Sequence, residues 1–105
     1  MSAAHPRLFF LVLRRIGPEW DASKPMEEQT GWPEHAAFME GLVESGGLLL
    51  GGPLADEERV VLVFQAASGD DVRALLARDP WSGTHLVLDS VDAWTIRLDG
   101  RTARR

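Results

Sequence analysis

The chain has 105 residues, a formal net charge of −5, 45% hydrophobic residues and no cysteine. This length predicts one domain over residues 1–105 with a single core, and the acidic balance argues against a nucleic-acid partner. The lack of cysteine excludes disulfides, thiolate zinc sites and cysteine nucleophiles, and no apolar run is long enough to span a membrane, so we expect a cytoplasmic protein without membrane contact.

The first half of the chain predicts a strand, a long loop and a helix. Residues 7–16 (RLFFLVLRRI) are rich in aromatic and branched side chains, which is typical of a strand. Residues 17–33 contain three prolines and no periodicity, which predicts a loop of the length found in lids and binding loops. Residues 32–47 (WPEHAAFMEGLVESGG) predict one amphipathic helix, with Pro33 suited to its first position and Gly46 to its end.

Two strands and a second helix follow. Residues 48–52 (LLLGG) and 60–65 (VVLVFQ) are apolar runs of strand length, and a turn is expected within residues 53–59. The sequence SGDD at the start of residues 68–78 resembles a capping box and predicts a helix over that range. Pro80 ends it, because the residue before a proline avoids helical backbone.

The last predicted strand covers residues 85–98 (HLVLDSVDAWTIRL), with a break near Asp89. We expect residues 1–6 and 99–105 to be disordered tails. The order strand, helix, strand, strand, helix, strand predicts an α+β ferredoxin-like sandwich, with one antiparallel sheet and two helices on one of its faces.

The predicted strands are apolar on both faces. An antiparallel sheet with one face in water normally alternates apolar and polar residues, whereas LFFLVL and VVLVF do not. Two helices can cover only one face of the sheet. The sequence therefore predicts a homodimer that packs sheet to sheet through the other face.

A histidine and an aspartate interrupt the apolar stripes of the two predicted helices. His35 lies at the centre of the stripe of the first helix, and Asp79 continues the stripe of the second. The helices of this fold run antiparallel, so the first turn of one lies beside the last turn of the other. Because an unpaired buried carboxylate is costly, we expect His35 and Asp79 to form a hydrogen bond in a cleft.

The same end of the fold collects further candidates for contact with a small-molecule ligand. Arg14 or Arg15 could meet an anionic group, tryptophan suits an aromatic one, and a Gly-Gly-Pro segment allows close backbone approach. The residues predicted to bind substrate are Arg14, Trp32, Gly52, Pro53, Trp81 and His85. We predict no cofactor and no metal, although His35, Asp79 and His85 would supply two histidines and a carboxylate.

The segments HAAFMEGLVESGGLLLGGPL and ARDPW resemble the YCII-related (YciI-like) family of the dimeric α/β-barrel group, and GPEWDASKPMEEQTGW resembles its long-loop branch. The resemblance extends from the first strand to Trp94. It implies a ferredoxin-like fold, a dimer and a His-Asp active site, which maps onto His35 and Asp79. Most members have no assigned reaction, and a few relatives act on small aromatic compounds, for instance by removing a halide.

Three interpretations of the His35–Asp79 pair stay open at this point. The pair could perform cofactor-independent general acid/base chemistry, of lyase, isomerase or hydrolase type, on a small aromatic or anionic molecule. It could belong to a site that binds a small molecule without turning it over. It could also be a structural pair that ties the two helices together.

Overall fold

A computed structural model describes residues 7–101, which form a four-stranded antiparallel sheet and two α-helices. The elements in chain order are β1 (Arg7–Arg14), α1 (Trp32–Glu44), β2 (Leu48–Pro53), β3 (Arg59–Ala66), α2 (Gly69–Leu76) and β4 (Val87–Trp94). The strand order β2-β3-β1-β4, with antiparallel neighbours throughout, is that of the predicted α+β ferredoxin-like fold. Neither helix in this part of the chain has the length and apolar character needed to cross a membrane.

The core lies between the two helices and one face of the sheet. In β1, alternate residues point toward this layer, and the register places Leu11 opposite Leu62 and Phe9 opposite Phe64 of β3. The helices contribute Leu42, Val72 and Leu76. Burying one such side chain stabilises the fold by about 1.5–3 kcal/mol, so this layer fixes how the helices sit on the sheet.

The opposite face of the sheet is apolar over β1 and β3 and carries Ser90 and Asp92 on β4, and no helix of residues 7–101 covers it. Its side chains come from all four strands; those from β1 and β3 are Leu8, Phe10, Val12, Val61 and Val63. Leu50 of β2 is 53% exposed and Trp94 of β4 is 44% exposed. Trp94 packs edge-on against Phe10 with ring centroids 5.4 Å apart. This surface is called the open face below.

The helix ends follow the predicted signals with small shifts. α1 starts at Trp32, so Pro33 is its second residue, and Gly46 follows its end in left-handed backbone (φ 89°). The Ser68 hydroxyl accepts a hydrogen bond from the Asp71 N–H (3.1 Å), as expected of a helix cap. α2 ends at Leu76, two residues before the predicted end at residue 78, and the chain continues as tight turns toward Pro80.

The strands β1 and β4 are shorter than predicted. β1 ends at Arg14 and β4 spans Val87–Trp94, so residues 81–86 form turns instead of extending the last strand. The break expected near Asp89 is a β-bulge, because Val12 pairs with Ser90 while its neighbour Leu13 pairs with Leu88. One extra residue on β4 bends the strand at this point.

The predicted tails fall only partly within the described chain. Residues 1–6 and 102–105 lie outside it. Within it, the Arg101 N–H donates a hydrogen bond to Asp99 Oδ1 (3.0 Å), and the two side chains form an ion pair. Residues 99–101 therefore form a short turn.

The long connection between β1 and α1 is folded onto the chain by one buried side chain. Gln29 Nε2 donates hydrogen bonds to the carbonyl oxygens of Asp21 (2.7 Å) and Lys24 (3.0 Å), and its Oε1 accepts one from the Asp21 N–H (2.9 Å). A single 3-10 turn, Met26–Glu28, lies immediately before Gln29 in the chain. At the start of the loop, the Gly17 N–H donates to the His85 carbonyl, and a Cβ at Gly17 would lie 2.3 Å from the Thr84 oxygen.

Candidate active site

A cleft of about 450 Å³ opens between α1 and β2, and the turn that follows α2 closes one of its ends. Its walls are mostly apolar and include Met39, Leu62 and Leu76. The ionisable residues that line it, among those described, are Arg15, His35, Glu40 and Asp79. An apolar cavity of this size with a few polar groups is typical of small-molecule sites.

His35 and Asp79 form the hydrogen bond that their positions in the sequence predicted. His35 Nδ1 lies 2.8 Å from Oδ1 and 3.0 Å from Oδ2 of Asp79, and both residues are buried. An ionised carboxylate only accepts hydrogen bonds, so Nδ1 carries the proton. No described residue bonds to Nε2 of His35, and this nitrogen is not sealed from solvent. The pair thus leaves Nε2 as the nitrogen able to exchange a proton with a bound molecule.

Trp81 holds both members of this pair. Its indole stacks on the His35 imidazole with centroids 4.0 Å apart and planes 7° from parallel, and its backbone N–H donates to Asp79 Oδ1 (2.9 Å). The indole Nε1–H donates to the Thr30 carbonyl (2.9 Å), which fixes the ring in its plane. The stack and the two hydrogen bonds therefore fix the orientation of the imidazole and of the carboxylate.

His85 lies behind Trp81 and does not line the cleft. It stacks on the other side of the Trp81 indole at 4.7 Å. The Thr84 hydroxyl donates to the Pro80 carbonyl, so it accepts from His85 Nδ1–H (2.9 Å), while His85 Nε2 accepts from the Thr30 hydroxyl (3.0 Å). Removal from water is the largest influence on the His85 imidazole and lowers its pKa. The geometry therefore makes His85 a neutral support for Trp81, away from any ligand in the cleft.

The alternative of a metal site from His35, Asp79 and His85 is not supported by the geometry. The Trp81 indole lies between the two imidazoles, so their nitrogens do not converge on one point. Within residues 7–101, no group of three or more potential ligand side chains is arranged to hold a metal ion.

The two neighbouring arginines at the end of β1 differ in placement. Arg14, which was predicted to bind substrate, does not line the cleft and pairs with Glu58 through both Nε (2.7 Å) and Nη2. Arg15 lines the cleft. Alternation along β1 places Leu11 and Leu13 on the core side and Arg14 on the other, and Arg15, the first residue after the strand, lies with Leu13 at the cleft.

The remaining predicted contact residues do line the cleft. Trp32 stands at its α1 wall, 5.9 Å from His35 between ring centroids, and Gly52 and Pro53 form part of the β2 wall. A Cβ at Gly52 would meet no atom within 4 Å, so packing in the described chain does not require glycine there. Contact of these residues with a ligand stays a prediction.

Three site residues were missed from the sequence. Gln29 folds the loop, Thr30 contacts both Trp81 and His85, and Gly31 adopts left-handed backbone (φ 74°) immediately before α1. A Cβ at Gly31 would lie 3.3 Å from Trp81 Nε1, so glycine permits this close approach. The sequence QTGWP could have indicated the position of Gly31, because in it a glycine precedes a helix start marked by proline.

The family model of the YCII-related domain matches residues 8–89, most of the chain. This span includes the cleft, the His35–Asp79 pair, Arg15 and Trp81. No curated protein and no solved structure gives a significant match.

Proposed function

The chain belongs to the YCII-related domain family, and we propose that it is a cofactor-independent enzyme in which His35 transfers a proton to or from a small molecule. Asp79 orients the imidazole and stabilises its charged form. The observation that carries this proposal is the fixed His35 ring, whose Nδ1 is held by the carboxylate while Nε2 is left for the cleft. A histidine held by a carboxylate in this way is suited to general acid/base catalysis.

The proposed reaction moves a single proton in two steps. Nε2 of neutral His35 takes a proton from an acidic C–H or O–H group of the bound molecule, and the imidazolium is stabilised by the Asp79 carboxylate. The same proton then returns to another atom of the molecule in an isomerisation, or to its leaving group in an elimination. In a hydrolysis, Nε2 instead takes the proton from the attacking water and passes it to the leaving group. The substrate class is a small aromatic or anionic molecule.

Two other functions are compatible with parts of this geometry. A cleft of about 450 Å³ would also serve a protein that binds a small molecule without changing it. A structural role is favoured by the hydrogen bond from the Trp81 N–H to Asp79, because this contact joins the turn to the carboxylate without involving His35.

We also propose that the protein is a cytoplasmic homodimer whose subunits pack through the open face. The support is the apolar character of that face, with Leu50 and Trp94 largely exposed on the sheet of one chain. An exposed apolar surface of this kind is typical of an interface, and a second copy offers a surface of the same shape and chemistry.

The test compares wild-type protein with His35→Ala and Asp79→Asn, using Asp89→Asn as the matched control at the exposed bulge. Aromatic acids and other small metabolites are screened by thermal shift, and every hit is incubated with each protein and followed by NMR for chemical change. We expect conversion by wild type and the control, and loss of at least about 100-fold in rate in both site variants. Unimpaired conversion by His35→Ala would refute the mechanism.

The outcomes also separate the alternatives. A hit that stabilises the protein and is recovered unchanged would identify a binding protein. If Asp79→Asn costs about 3–5 kcal/mol of stability, as expected when a buried pair is broken, and no compound binds wild type, the pair is structural.

A further inference from the structure

Arg15 is the cation of the cleft, and its guanidinium is held in place without being fully neutralised. We propose that Arg15 binds a carboxylate of the ligand, so that the molecules taken up by the cleft are small, apolar monocarboxylic acids. This inference rests on the proposed function only in that the ligand shares the cleft with His35. It assigns to Arg15 the recognition of charge and leaves proton transfer to the histidine.

The position of Arg15 is fixed by contacts that leave its charge available. Its side chain is only 8% exposed, its guanidinium lies over the Trp20 ring at 5.0 Å, and Nη2 donates to the Met26 sulfur (3.5 Å). An aromatic face and a thioether hold a guanidinium in place but carry no full negative charge. The side chain is therefore preorganised for an anion.

The single carboxylate that meets Arg15 in the described chain is a weak partner. Nη1 of Arg15 donates to the Glu57 carbonyl (2.9 Å) and to Glu57 Oε1 (3.2 Å), and the Glu57 side chain is 73% exposed. An ion pair with an exposed carboxylate contributes little, because water and salt screen it. A ligand carboxylate can compete with this contact.

The free edge of the guanidinium has the geometry that a carboxylate requires. In the neighbouring Arg14, the Nε and Nη2 edge is occupied by Glu58, whereas in Arg15 no described acceptor meets Nε–H, and Nη2 meets only the weakly accepting sulfur of Met26. The N–H groups of Nε and Nη2 form a fork that binds both oxygens of one carboxylate. Met26 lines both the cleft and the neighbouring groove, so its contact places Nη2 of Arg15 at the border between the two.

The cleft offers an incoming carboxylate few competing charges. On its other side, Arg15 borders a groove that is more strongly charged, lined by Lys24 and by the carboxylates of Glu27, Asp56, Glu57 and Glu58. In the cleft, Asp79 is held by His35, and Glu40 is an exposed residue screened by water. The walls between Arg15 and His35 are apolar, which suits a hydrocarbon body attached to the carboxylate.

The test titrates benzoate and its neutral analogue benzamide into ¹⁵N-labelled protein, and follows the indole N–H signals of Trp32 and Trp81, which line the cleft. We expect wild type to bind benzoate about tenfold more tightly than benzamide, as a charge-assisted hydrogen bond predicts. Arg15→Gln should remove this preference, and Arg14→Gln, the matched control outside the cleft, should keep it.

A second variant, Glu57→Gln, tests the proposal even if Arg15→Gln does not fold. The Glu57 side chain is exposed, so this substitution should not disturb the fold. It should raise the affinity for benzoate roughly twofold to fivefold by removing the negative charge next to the guanidinium, with benzamide unchanged. Equal binding of benzoate and benzamide, a preference that survives in Arg15→Gln, no response to either compound, or no effect of Glu57→Gln on benzoate would each overturn the inference.

Failure of this inference is distinguishable from failure of the proposed function. Equal binding of acid and amide, together with turnover that requires His35, would remove only carboxylate recognition. Benzoate binding that depends on Arg15, without any turnover that depends on His35, would confirm Arg15 as the anion site and remove only the catalytic role.

Discussion

The indole of Trp81 lies flat against the imidazole of His35, with ring centroids 4.0 Å apart. The same residue donates its backbone N–H to Asp79 and its Nε1–H to the Thr30 carbonyl. One buried side chain therefore connects the pair to the long loop. This arrangement makes the orientation of the imidazole depend on the packing of Trp81 as well as on the carboxylate.

Two substitutions of Trp81 separate its stacking from its hydrogen bond. Trp81→Phe keeps an aromatic face on His35 but leaves the Thr30 carbonyl without its donor, which should cost about 1–3 kcal/mol. Trp81→Leu loses both contacts and should cost about 3–5 kcal/mol, as for other large truncations in a core. Urea unfolding measures both changes.

The exchange of the His35 Nδ1–H with water reports on the stack itself. We expect this proton, observed by NMR, to remain protected in Trp81→Phe and to exchange faster in Trp81→Leu. Equal protection in the leucine variant and wild type would show that Asp79 alone orients the ring.

His85 should make the fold less stable in mild acid. Burial lowers the pKa of its imidazole, so below the unfolded-state pKa of about 6.5 the unfolded chain binds a proton that the folded chain resists. Stability is then lost as the pH falls from 7.5 to 5.5. His85→Gln, which cannot titrate, should show a smaller loss over this range in urea unfolding, whatever its stability at pH 7.5. An unchanged loss would contradict a neutral His85.

Much of the fold and the central pair could be predicted from the sequence because both depend on periodicity and topology. Apolar runs and helix caps gave the element order, and the antiparallel helices brought His35 to Asp79 although 44 positions separate them. The ends of α2 and β4 were less predictable, because Pro80 and the turns over residues 81–86 shorten both elements.

The other site residues depend on contacts that no local pattern encodes. Arg15 could have been chosen over Arg14, since alternation along the predicted strand over residues 7–16 places it on the side of Leu11 and Leu13. The position of His85 could not have been predicted, because it results from the insertion of the Trp81 indole between the two histidines.

Gln29 offers a test of how the loop is held. Gln29→Glu keeps the shape but removes the N–H donors that meet the carbonyls of Asp21 and Lys24, and it buries a charge. We expect a loss of about 2 kcal/mol or more, with faster amide exchange over residues 17–31. The control is Gln65→Glu, an exposed residue with one bond to the Gly46 carbonyl. It should cost less than about 1 kcal/mol and leave the loop protected. Unchanged loop exchange in Gln29→Glu would refute the role of this side chain.

The open face predicts which exposed apolar side chains control self-association. Leu50 and Trp94 lie on that face, whereas Leu98, which is 93% exposed, lies beyond the end of β4. Leu50→Glu and Trp94→Glu should convert a dimer into a folded monomer, because each would bury a charge between two apolar sheets. Leu98→Glu should leave the dimer intact. Sedimentation equilibrium gives the mass, and circular dichroism checks the fold of each variant. A monomeric wild type, or a dimer that tolerates both face substitutions, would show that the subunits do not pack through this sheet.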